Sequence, residues 1–201
     1  MSSYLKKVHK IWFRFLIAVA TGTCLVSVVA SDDIVLGEEQ APVTLIEYGS
    51  MTCDYCIHFH RKVLPQVKSQ YIDTGKVRFI YRHFPTSEAA MRGALATQCS
   101  SHQYYAMLDK LYETVATWYQ VENRKNIFTL YAESLGLEAE PFRACLDNKQ
   151  YMDDIVNAQR QANIEYDVRG TPTFIINRRV VSGEKSFDEL AILIDEALRK
   201  Q

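Results

Sequence analysis

Apolar and polar positions change their period several times along the chain, and each change marks a candidate element. Val43-Thr-Leu-Ile-Glu-Tyr48 is short, mostly apolar and rich in strand formers, which predicts a strand. From Cys53 the apolar residues recur as Cys56, Phe59, Val63, Val67 and Tyr71, which is helical spacing. Pro65 falls inside that helix, deletes a backbone donor and is expected to kink its axis. Asp73-Thr-Gly75 reads as the closing turn and Val77-Arg-Phe-Ile-Tyr81 as a second strand. A strand–helix–strand unit of this length favours parallel pairing through a right-handed crossover. The polar stretch from Asp32 to Gln40 is expected to cover a sheet edge or form a short strand.

Strand character then disappears from Ser87 to about Ile164. Ala89 to Cys99 is rich in small residues and reads as a helix. Tyr104, Leu108, Leu111 and Val115 outline a second, and Ile127, Leu130, Tyr131 and Leu135 a third that Gly136 stops. Pro141 to Leu146 and Tyr151 to Asn163 complete an all-helical block, expected to need a small core of its own. Tyr104, Tyr105, Trp118 and Tyr119 are the candidates to fill that core, or to line a groove for unfolded chains.

Strands return after Gly170, with Thr173-Phe-Ile-Ile176 and Val180-Val-Ser182 joined by the tight connection Asn177-Arg-Arg179. Phe187, Leu190, Ile194 and Leu198 mark a last helix, capped by Ser186 with Glu189 three residues on. The order is therefore βαβ, helical block, ββα, an α/β class.

The first thirty residues stand apart. Lys6, Lys7 and Lys10 precede an apolar run from Ile11 to Ala30 that closes on the small residues Val28-Val29-Ala30. This predicts a secretory leader over residues 1–30 and an exported, periplasmic protein. The alternative is a membrane anchor left uncleaved, which Arg14 weakens. A lipid anchor at Cys24 fits less well, because Thr21-Gly-Thr-Cys24 lacks a leucine three residues before the cysteine. The leader holds four of the 23 basic residues and none of the 24 acidic ones, so the remainder carries a net charge of −5. Nothing in that balance favours nucleic acid.

Without the leader four cysteines remain, Cys53, Cys56, Cys99 and Cys145. An even count in an exported chain suggests two disulfides, and three pairings are possible. One of them, Cys53–Cys56 with Cys99–Cys145, leaves a redox pair and a structural pair. Cys53 and Cys56 lie where a strand gives way to a helix. A helix start carries partial positive charge, which stabilises a thiolate. Cys53, nearest that start, is the candidate nucleophile, and Cys56, one turn deeper, the buried partner. Half of a zinc site is the competing reading, since His58 and His60 follow. Residues 56, 58 and 60 on one helix are expected to point in different directions, which argues against joint ligation, and both histidines read as surface or partly buried residues.

The element order resembles a thioredoxin-like fold interrupted by an all-helical insertion, as in the DsbA-like branch of exported disulfide oxidoreductases. The resemblance covers about residues 34–200. It rests on Ile46-Glu-Tyr48, Cys53-Asp-Tyr-Cys56, Arg82-His-Phe-Pro85, Gly170-Thr-Pro-Thr-Phe174, and the placement of Cys99 and of Cys145-Leu146. It implies a thioredoxin-like domain built from 31–85 and 165–201, with a helical insertion domain at 86–164.

The resemblance also implies roles. Cys53 and Cys56 are the redox pair, and Glu47 is a buried acid that takes or relays the proton of Cys56. Thr171–Pro172 is a cis bond beside the sulfurs, with the Thr171 backbone free to pair with extended substrate. Cys99–Cys145 is a structural disulfide. His83 is structural. Asp54 and Tyr55 tune the redox pair, and Asp54 departs from the family, which has a proline there. A carboxylate beside Cys53 disfavours its thiolate and is expected to make a weaker oxidant. The implied activity is disulfide donation to reduced or unfolded exported proteins by a monomer. A quinone-linked membrane protein would reoxidise it, and no cofactor or metal is needed. An isomerase or reductase, suggested by Thr171 before the proline, a non-enzymatic holdase and a metal-binding module remain the alternatives.

Overall fold

The computed structural model describes residues 33–201; the expected leader lies outside the described residues. Its elements run β1 (Val35–Leu36), β2 (Val43–Gly49), α1 (Asp54–His58), α2 (Leu64–Val67), β3 (Val77–His83), α3 (Glu88–Gln98), α4 (Tyr104–Glu113), α5 (Val115–Trp118), α6 (Arg124–Ser134), α7 (Ala139–Cys145), α8 (Lys149–Tyr166), β4 (Thr173–Ile176), β5 (Arg179–Ser182) and α9 (Phe187–Leu198). The sheet order is β1-β3-β2-β4-β5. β2 and β3 are parallel, as their crossover requires, and the other pairs are antiparallel. β1 is the short edge strand foreseen for the polar stretch before Ala41.

Alternation along β2 sorts its side chains onto two faces. Val43, Leu45 and Glu47 share one face, with Glu47 paired across the ladders to Tyr81 and Phe174. That face carries the main core, which includes Phe59, Val63 and Val67, Leu190 and Ile194 of α9, and Leu108, Leu111 and Trp118 of the helical segment. Ile46, Tyr48, Ile80 and Ile175 form a smaller core on the other face, beneath Ala162 of α8 and Val168. The helical segment thus does not build the separate core expected of it. Its apolar side chains join the sheet's own core, because pooling them buries more area than a small isolated cluster allows.

Local signals explain most boundaries. Ser87 caps α3 by accepting from Ala90 N, and Asn148 caps α8 by accepting from Gln150 N and Tyr151 N. Ser186 and Glu189 form the reciprocal capping box their spacing predicts. Asn177, at φ 55, takes the left-handed conformation that the tight β4–β5 connection demands and that asparagine tolerates.

Three expectations need correction. The helix after Cys53 is not evenly wound. Wider π turns cover Phe59–Val63 and Lys68–Ile72, on either side of α2. Pro65 sits in the first turn of α2, just after the first widened stretch, where its missing donor does least harm. In α6 the buried residues are Phe128, Thr129 and Ala132; Ile127, Tyr131 and Leu135 are partly buried against the same core, as expected, while Leu130 is 64% exposed. Phe128 decides that rotation by packing edge-on against Trp118. Tyr119, assigned to the helical core, is exposed, whereas Trp118 and Tyr104 are buried.

Candidate active site

β2 leads into a tight bend at Ser50–Cys53, closed by Cys53 N–H donating to the Ser50 carbonyl at 3.0 Å. Cys53 is then the N-cap of α1, extended at φ −88, ψ 121. Its carbonyl accepts from Ile57 N–H, while its own side chain stands at the open end of the helix. Cys53 is half-buried and Cys56 fully buried, both as free thiols. Across from them the chain returns before β4 with a cis Thr171–Pro172 bond, as expected. Cys53 Sγ lies 3.2 Å from the Thr171 carbonyl oxygen.

This setting separates the two sulfurs electrically. The Cys53 thiol is lowered to about 5, first by a hydrogen bond from the Cys56 side chain. Partial burial opposes this, and the Thr171 side chain and the backbone N–H groups of Cys56 and Tyr55 assist it. Cys56 moves the other way, pushed far up by burial, by its bond to Cys53 and by the nearby Glu47 charge. Asp54 is exposed, and the largest influences on Cys53 come from other groups. Its charge faces water, where its effect on the sulfur is screened. Tyr55 is also exposed and contributes to Cys53 through its backbone N–H.

Glu47 lies entirely inside the core, and burial is the main force raising its pKa. Its Oε2 is hydrogen-bonded to His60 Nε2 at 2.8 Å, and its Oε1 has no hydrogen-bond partner. An unsatisfied buried oxygen costs roughly 1–3 kcal/mol, so its retention beside a redox pair reads as functional. Gly49 keeps the space open. A Cβ there would meet Glu47 Oε1 at 2.9 Å and the Tyr81 ring at 2.5 Å. His60 is held by stacking on Tyr112, with ring centroids 3.8 Å apart. The Tyr112 and Tyr81 hydroxyls share a hydrogen bond of 2.9 Å beneath it.

The family model described as Thioredoxin matches residues 30–196. Among solved structures, alpha-DsbA1 of Wolbachia pipientis is 30% identical, covers 85% of this chain and 92% of its own, and superposes with a TM-score of 0.77. The chain is a DsbA-like member of the thioredoxin family. BdbD from Bacillus subtilis shares the fold at 24% identity, covering 83% of this chain and 93% of its own, with a TM-score of 0.71. A putative protein-disulfide oxidoreductase of Rickettsia felis is 26% identical over 86% of this chain and 63% of its own length. The chain therefore spans less than two thirds of that relative.

In this DsbA-like frame the structure brings together Cys53, Cys56, Glu47, Thr171 and Pro172 from three separate stretches of sequence. Cys99 and Cys145 form a disulfide with each other, with Cα atoms 5.8 Å apart, tying the end of α3 to the end of α7. His83 is buried, accepts or donates to Thr97 Oγ1 at 2.8 Å, and is lowered to about 3 by burial, so it stays neutral as a structural residue.

His60 is the residue that sequence reasoning missed. Treating positions 56, 58 and 60 as diverging was wrong for one pair. Positions 56 and 60 are four apart and share a helix face. That spacing, with an acid on the preceding strand, was the available signal. His58 does point elsewhere and pairs with Glu184 at 2.8 Å on the surface. No cluster of three metal-ligating side chains occurs among the described residues.

Proposed function

We propose that this protein is an exported thiol–disulfide oxidoreductase that donates the Cys53–Cys56 disulfide to reduced or unfolded proteins. The observation that carries the reading is the half-exposed Cys53 sulfur, 3.2 Å from the Thr171 carbonyl and lowered to about 5. A substrate thiolate attacks Cys53 Sγ in the oxidised pair. The ring S–S bond breaks, and Cys56 takes the electron pair and then a proton. A second substrate thiolate attacks the substrate sulfur of the mixed disulfide, and Cys53 leaves as a thiolate. A sulfur stable as an anion leaves readily, which favours donation over reduction. Thr171 and Pro172 flank the attacked sulfur, where the Thr171 backbone can pair with an extended substrate strand.

Oxidation of Cys99–Cys145 fits an oxidising compartment such as the periplasm, in line with the leader expected at residues 1–30. The proposal includes action as a monomer and reoxidation by a quinone-linked membrane partner. The test incubates the oxidised protein with a reduced, unfolded multi-cysteine protein and counts disulfides gained. Stoichiometric transfer that Cys53→Ala abolishes supports the reading. Rearrangement of a scrambled substrate without net oxidation identifies an isomerase instead. Suppression of aggregation that survives Cys53→Ala identifies a holdase.

A further inference from the structure

The proposed exchange sends an electron pair onto Cys56 Sγ inside the core. Cys56 is fully buried, and burial, its bond to Cys53 and the Glu47 charge all oppose an anion there. A hydrogen bond from the Ser50 backbone acts in the opposite sense. The peptide that carries this donor is held at both ends. Its carbonyl, on Gly49, accepts from Phe84 N–H at 2.8 Å. In a planar trans peptide the N–H points opposite the carbonyl, so Ser50 N–H faces away from Phe84 and the end of β3. The Ser50 carbonyl accepts from Cys53 N–H at 3.0 Å. The Ser50 side chain is buried, with its hydroxyl paired to Thr86 Oγ1 at 2.9 Å. Thr86 N–H also donates to that hydroxyl oxygen, at 3.3 Å. Thr52 Oγ1 and Ser87 Oγ, 3.0 Å apart, make a second rung between the bend and the start of α3.

We infer that Ser50 is a catalytic residue through its main chain, its N–H receiving the negative charge that reaches Cys56 Sγ as the ring opens, and that Thr86 is the positioning residue that aims it. The inference rests on the exchange reaction proposed above. In that step a thiolate forms a new S–S bond to Cys53 Sγ. The Cys53–Cys56 bond breaks, and its electron pair moves to Cys56 Sγ, which then takes a proton. Until the proton arrives the sulfur is an anion in a buried site. A donor fixed in advance where charge develops stabilises such a state most when water is excluded. Ring closure passes through the same charged sulfur in reverse. Thr86 lies between β3 and α3, so the segment entering the helical block braces the redox bend through Ser50 and Thr52.

The experiment follows opening of the oxidised Cys53–Cys56 ring by reduced glutathione and reclosure of the mixed disulfide, with acid quenching and mass measurement of the products. Ser50→Ala removes the clasp and frees the peptide to turn. It should slow ring opening on the order of 10-fold. Thr86→Val removes one hydroxyl and should slow it about 3-fold, the loss of one ordinary hydrogen bond. Thr86→Ser restores the hydroxyl and should recover the rate. Reclosure should slow in the same proportion, leaving the equilibrium with glutathione in place, because the Cys56 thiol of the mixed disulfide carries its proton and needs no such donor. Slowing that comes with a matching change in that equilibrium marks a merely structural role and overturns the assignment. So does a folded Ser50→Ala with wild-type rates. Thr86 is exposed, so its variants test the same point if Ser50→Ala does not fold, and a Thr86→Val as fast as wild type overturns the assignment by itself. Each of these results leaves the oxidoreductase reading intact. Loss of that reading would show separately, as substrate oxidation surviving Cys53→Ala.

Discussion

The Cys53 sulfur and the Thr171 carbonyl oxygen, 118 residues apart in sequence, lie 3.2 Å apart in the fold. Thr171 is set there by the ladder between β2 and β4, in which Tyr48 stands opposite Thr173. The same strand that delivers Cys53 to the helix start therefore delivers its neighbour across the sheet. Substrate approaching the sulfur meets the Thr171 backbone at once.

The acidity of Cys53 can be read directly. Thiolate absorbance of the reduced protein should titrate with a midpoint near 5. Asp54→Asn should move that midpoint only slightly downward, since the exposed carboxylate is screened. A large downward shift would restore Asp54 as the dominant tuner.

Stability of the reduced form should depend on pH in a set direction. The Cys53 thiol binds no proton in the folded state above about 5, while the unfolded thiol keeps its proton to about 9. The lowered value therefore stabilises the reduced fold fully above pH 9, and that gain fades as pH falls to 5. Urea unfolding of the reduced protein at pH 5 and pH 8 should give the greater increase over the Cys53→Ala variant at pH 8.

Glu47 has the opposite sign. Burial raises its pKa above 4.5, so the folded state resists ionising it. Stability from the protonated group is full below the unfolded value and is lost as pH rises through the folded one. Glu47→Gln should gain stability relative to wild type on going from pH 4 to pH 8, measured by thermal melts. It should also slow ring opening, on the order of 100-fold if the acid serves Cys56.

Gly49→Ala tests the packing around that acid. The added Cβ would crowd the Tyr81 ring at 2.5 Å and Glu47 Oε1 at 2.9 Å. A loss of about 1–3 kcal/mol in denaturant unfolding is expected, together with slower ring opening, while Cys53 alkylation keeps its pH midpoint.

The Cys99–Cys145 disulfide closes a loop spanning 46 positions. Replacing both with alanine should cost up to about 4 kcal/mol on the chain-entropy model. The loss should appear in unfolding midpoints, with little change in the thiolate titration of Cys53.

Much of this was legible in one dimension because its causes are local. Apolar spacing placed β2, β3, β4 and α9, and the Ser186–Glu189 box followed from two residues three apart. The thiol pair at a strand–helix junction announced its own chemistry, because helix-end charge acts within one turn. Spacing erred in α6 at Leu130, which is exposed, and overlooked Phe128, whose contact with Trp118 fills the buried face. It failed again at Tyr119, whose aromatic character says nothing about which side of a short helix meets the core.

Sequence by itself determined the order of elements and set the two thiols at a strand–helix junction, since each depends on neighbours along the chain, while Glu47 was singled out by the family resemblance. Only the tertiary structure decided that Glu47 would be held by His60 and that one of its oxygens would stay unpaired. Burial and the hydrogen-bond partners of a buried carboxylate depend on atoms brought together by packing, and no periodicity along a chain encodes their distances.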